Sequence, residues 1–98
     1  MSRIDEIRAR VEAATEGPWF LSYPGTSVRA PNGNYLAEYT TGEDGGTEDA
    51  EFIAHAREDI PHLLSLLDRA VELLDECRIE SHGAVHAGIA AFLDEVKR

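Results

Sequence analysis

Apolar residues recur at helical spacing toward both ends of the chain and alternate only over a short stretch between them. Near the N-terminus Ile4, Ile7, Val11 and Ala14 lie three and four apart, and Ser2 followed by Asp5 matches a capping box with Asp in place of the usual Glu. A helix is predicted over residues 1–16. Gly17-Pro18 ends it, because glycine is free to adopt the left-handed stop conformation and proline does not continue a helix. From Trp19 to Tyr39 the residues become aromatic and β-branched, divided by Pro24-Gly25 and by Pro31-Asn32-Gly33. Three short antiparallel strands are expected over 19–39, with the best hairpin from Val28 to Tyr39 around Asn32-Gly33.

Residues 40–47 combine glycine with acid and hold nothing to bury, so they read as a surface loop. A phosphate-binding reading fails there, because Glu43 and Asp44 stand where a cradle needs a basic partner. A helical region is expected over 48–79 in two pieces: a short helix capped by Thr47 and running through His55, then a long one capped by Asp59 with Pro61 in its first turn. In the long helix Ile60, Leu63, Leu67, Ala70, Leu74 and Cys77 form a heptad seam, which Leu64, Leu66, Val71 and Leu73 widen on both flanks. So broad an apolar arc needs two packing surfaces, one flank meeting the sheet and the other the C-terminal helix or a second chain. The register breaks near residues 79–83, and Val85, Ile89, Phe92 and Val96 set a new phase for a C-terminal helix over 82–97. The predicted fold is α+β, a single domain over 1–98 that ends in a helical hairpin.

Charge narrows the partners. Nineteen acidic against nine basic residues give a formal charge of -10, which repels nucleic-acid backbones and anionic lipid; solubility is the default reading of that charge, and a basic protein partner comes ahead of DNA mimicry among the sharper ones. One cysteine, Cys77, excludes an internal disulfide and fits a cytoplasmic setting, and no stretch approaches a membrane span.

Several constellations carry chemistry on paper. Cys77, His82 and His86 make C-x4-H-x3-H, but a fourth zinc ligand is missing from the pattern, so no metal is expected. His55 and His62 flank Arg57, Glu58 and Asp59, an acid-base pairing that any acidic protein offers without a nucleophile motif, so neither an enzyme nor a cofactor is expected. Trp19 reads as core packing. The alternative makes Trp19, Tyr23, Tyr35 and Tyr39 stacking faces and Arg29 a phosphate fork for a small nucleotide. Asp68, Glu72, Asp75, Glu76 and Glu80 line the polar face of the long helix; a solvated face is the default reading and mimicry of DNA phosphates the sharper one. Self-association is assigned to Leu63, Leu66, Leu67, Val71, Leu73 and Leu74.

The blocks Ala13-Ala14-Thr15-Glu16-Gly17-Pro18-Trp19 and Asp49-Ala50-Glu51-Phe52-Ile53-Ala54, followed by Ile60-Pro61-His62-Leu63-Leu64, resemble the Ead-like accessory proteins of lambdoid and actinobacterial phages. The order and spacing agree over about residues 8–75, although Glu16 replaces the family's usual proline and nothing after Arg78 has a counterpart. The resemblance implies a phage early-region product in the host bacterial cytoplasm that modulates a host factor or a host defence. The expectation is therefore a noncatalytic homodimer that binds a host protein. The alternatives are a sponge for a small nucleotide immune signal at a subunit interface, and an acidic DNA mimic.

Overall fold

The computed structural model describes residues 2–22, 27–38 and 46–98. Helix α1 (Arg3–Ala13) is followed by strands β1 (Phe20–Ser22), β2 (Ser27–Arg29) and β3 (Tyr35–Ala37), then by helices α2 (Gly46–Glu80) and α3 (Gly83–Val96). This is the expected α+β order. Residues 40–45 of the acidic loop, and both Tyr23 and Tyr39, lie outside the described residues. The chain forms two compact units, one comprising Ala14–Pro61 and the other Met1–Ala13 with His62–Arg98.

In the unit Ala14–Pro61 the sheet is antiparallel in the order β1-β2-β3. The β2–β3 connection closes where Gly33 N donates to the Ala30 carbonyl, 2.9 Å, and Asn34 N to the Asn32 side-chain oxygen, 2.9 Å. Gly33 takes φ of 88°, a conformation that penalises any Cβ. The β2–β3 register shifts between Val28 and Arg29. As a result the consecutive residues Leu36 and Ala37 both pack on the core, which strict alternation forbids. That core is Val28, Ala50 and Ala54, with Trp19, Leu36, Ala37 and Ile53 against it. Within this unit the sheet is thus covered by the alanine face at the start of α2.

Gly17 is needed for a different reason from the one its sequence context gives. It is not among the glycines with positive φ; instead a Cβ built there comes within 2.7 Å of Arg57 Cγ. The absent side chain makes room for Arg57, whose Nε donates to the Thr15 carbonyl, 3.0 Å. The Gly17–Pro18 peptide is cis.

The two expected helices over 48–79 are one, since Asp59 caps nothing and Pro61 sits inside α2. Strong helix formers stand on both sides, Ala54, Ala56 and Arg57 before it and Leu63, Leu64, Leu66 and Leu67 after it. They hold the helical conformation although the proline forfeits its own bond to the Arg57 carbonyl.

In the other unit the capping box forms as read: Asp5 N donates to Ser2 Oγ, 3.1 Å, and Ser2 N to Asp5 Oδ2, 3.3 Å. Leu93 is its fully buried side chain, and Ile89, Ala90 and Val96 are half-buried beside it in α3. The inward phase of α3 therefore centres on Leu93, with Val85 and Phe92 of the predicted seam exposed. At the start of α3, Gly83 takes φ of 62°. The Arg78 carbonyl accepts from Ser81 Oγ, 3.2 Å, and lies 3.1 Å from His86 Nδ1. His86 Nδ1 also lies 3.2 Å from Ser81 Oγ.

Candidate functional site

The latter part of α2 carries more apolar residues than its own unit covers. Leu64, Leu67, Val71 and Leu74 are half-buried. Leu67 and Val71 line a cleft of about 200 Å³ with Ile4 and Arg8 of α1 and Val96 of α3. Arg8 closes one side of it by a bidentate pair to Asp68, and that hydrogen bonding raises the guanidinium pKa above its ordinary value.

One side of the arc is bare. Leu63 is 61% exposed, Leu66 52% and Leu73 55%, and Ala70 and Cys77 are exposed with them. Leu63, Leu66, Ala70, Leu73 and Cys77 are spaced three, four, three and four, the a and d positions of a heptad. The covered residues fall on the b and e positions of the same frame.

The predicted seam of Ile60, Leu63, Leu67, Ala70, Leu74 and Cys77 is the middle of this arc, and the structure divides the arc through it. Cys77, the last residue of that seam, is exposed. Of the six residues assigned to self-association, Leu63, Leu66 and Leu73 lie on the bare face, while Leu67, Val71 and Leu74 turn inward. Ala70 and Cys77 belong to the bare face and had been placed in the inner seam. Two heptad frames overlap in this sequence, and only tertiary packing chooses between them.

The other candidates disperse. Trp19 packs on the Val28 core and donates from Nε1 to the Thr15 carbonyl, 2.9 Å. Arg29 lies over the ring of Tyr35 across the strand pair, 4.2 Å from its centroid, with its buried Nε making no hydrogen bond among the described residues. Trp19 and Arg29 are thus engaged separately, in the core and against Tyr35. In the acidic row, Asp68 pairs with Arg8 and Asp75 with Arg78, so two of its five carboxylates are already matched by guanidinium. His86 is engaged at the end of α2, and no group of three metal-ligating side chains forms among the described residues. No described helix is long and apolar enough to cross a membrane.

Comparison with protein families, with curated proteins and with solved structures finds no match.

Proposed function

We propose that this chain is a noncatalytic interaction protein that works as a homodimer and binds and modulates a host factor in a bacterial cytoplasm. The observation that carries the reading is the bare face of Leu63, Leu66, Ala70, Leu73 and Cys77. A leucine left in water forgoes about 1.5–3 kcal/mol of burial, and a contiguous row of them marks a surface that meets another chain. The phage setting rests on the resemblance of the helix-stop and helix-start blocks alone. The formal charge of -10 favours a basic partner surface.

Sedimentation velocity tests the dimer. The wild type sediments as a dimer at micromolar concentration, and Leu66→Lys with Leu73→Lys sediments as a monomer with unchanged helical circular dichroism. A wild type that stays monomeric through the millimolar range removes the reading. Affinity capture from bacterial lysate, at low and at physiological salt, tests the partner; recovery of no specific protein in either condition counts against it.

A further inference from the structure

The charges beside the bare face carry an orientation. In the heptad frame of Leu63, Leu66, Ala70, Leu73 and Cys77, Arg69 and Glu76 occupy successive g positions, and both are exposed. The ion pairs among the described residues are Arg8–Asp68, Arg78–Asp75 and Arg98–Asp94, and they engage neither residue. A parallel coiled-coil pair sets each g position against an e position of its partner. Here the e positions are Leu67, Leu74 and Ser81, all half-buried within their own unit, so parallel association leaves Arg69 and Glu76 without a counter-charge. An antiparallel pair sets g against g instead.

Of the antiparallel registers that bring a positions opposite d positions, two pair four of the five bare residues with one another. One places Leu66 opposite Ala70 and Leu63 opposite Leu73, which sets Arg69 beside Arg69 of the second copy. The other places Ala70 opposite Leu73 and Leu66 opposite Cys77, which sets Arg69 beside Glu76 of the second copy. A two-fold contact repeats every pairing of unlike positions, so the first register holds one repulsion between the two Arg69 residues at its axis and the second makes two attractions. We infer that the occupant of the bare face is a second copy of this chain, bound antiparallel in the second register about a two-fold axis between residues 71 and 72. The inference rests on the proposed self-association and gives it a geometry.

The single native thiol makes the geometry readable. In the inferred register the two Cys77 residues lie about 16 Å apart along the axis, at a rise of about 1.5 Å per residue. A disulfide needs Cα atoms within about 7 Å. Cys77 of one copy instead faces Leu66 of the other, so Leu66→Cys creates a pair that bonds twice across the interface. An internal bond in that variant is ruled out, since positions 66 and 77 of one helix are themselves about 16 Å apart.

Mild oxidation followed by non-reducing electrophoresis reads the result. Leu66→Cys gives a covalent dimer, and the wild type under the same oxidant does not. A wild-type dimer linked through Cys77 means parallel association or an antiparallel register centred nearer Cys77, and overturns the inference, as does a Leu66→Cys dimer in sedimentation that fails to cross-link. A monomeric wild type removes the self-association beneath it, a failure distinct from these two. Charge exchange gives a second measurement that leaves the apolar face intact. Arg69→Glu and Glu76→Arg each weaken the dimer by about tenfold through two symmetric pairs, and the double exchange restores it. Equal weakening by the double exchange also overturns the register.

Discussion

Arg57 and Thr15 are 42 residues apart in sequence, yet Arg57 Nε donates to the Thr15 carbonyl, 3.0 Å, an acceptor it shares with the indole of Trp19. The bond ties the chain after α1 to α2. Gly17 is the residue that leaves space for it, because a Cβ there meets Arg57 Cγ at 2.7 Å.

A double-mutant cycle follows from this proximity. Gly17→Ala alone forces the Arg57 stem aside and costs about 1–3 kcal/mol of stability. Arg57→Ala alone costs about 1 kcal/mol through the lost hydrogen bond. Together they cost less than the sum, since removing the stem vacates the space that the new methyl needs. Urea denaturation of the four proteins checks it; strict additivity means that Gly17 serves something other than the passage of Arg57.

The block Ala50 to Ala54 divides its residues sharply. Ala50 and Ala54 are buried against Val28 and Ile53 is half-buried, while Phe52, between them, is 77% exposed. Ala50→Leu therefore overpacks the sheet contact and costs about 1–3 kcal/mol. Phe52→Ser changes stability by no more than about 0.5 kcal/mol, the scale of an ordinary surface change. Thermal melts of both variants discriminate; a large loss from Phe52→Ser would show that its ring has a packing role.

The sequence pattern reached the element types and order because caps, breakers and turn residues act locally. The Ser2–Asp5 capping box and the Asn32-Gly33 turn are decided by a few neighbouring residues, and both form. It failed where distant packing decides. Asp59 and Pro61 spell a helix start, yet the helix formers around them carry α2 through. Leu63 and Leu64 are equally hydrophobic, so nothing local says that Leu64 faces inward and Leu63 water. The same ambiguity put Phe92, and not Leu93, on the predicted inner seam of α3. Arg69 and Glu76 became legible as a pair of flanks only once the bare heptad frame was known.

The turn after α2 supplies a prediction of smaller size. The Arg78 carbonyl accepts a long backbone bond from Ser81 N, 3.4 Å, and is met besides by Ser81 Oγ and His86 Nδ1, at 3.2 and 3.1 Å. His86→Ala should cost about 0.5–1 kcal/mol, because an exposed carbonyl recovers part of the lost bond from water. His86→Asn keeps a donor near the same place and recovers part of the loss. Denaturation curves measured together with the Ser81→Ala variant check this, and an unchanged midpoint for His86→Ala would leave the histidine without a capping role.

Leu93 and Phe92 are neighbours in sequence with opposite consequences. Leu93 is 1% exposed and is the one fully buried large side chain in its unit among the described residues; Phe92, though larger, is 39% exposed. Truncating a buried leucine removes its transfer energy and leaves a cavity, so Leu93→Ala costs about 2–5 kcal/mol. A half-covered ring loses less, because its solvated part contributes nothing in either state and its site opens to water without a void. Phe92→Ala is therefore expected to be the milder of the two, reversing the order that side-chain size alone predicts. Chemical denaturation ranks them directly. If Phe92→Ala proves the more damaging, α3 is rotated from the phase described, and the inward set is the predicted one of Val85, Ile89, Phe92 and Val96.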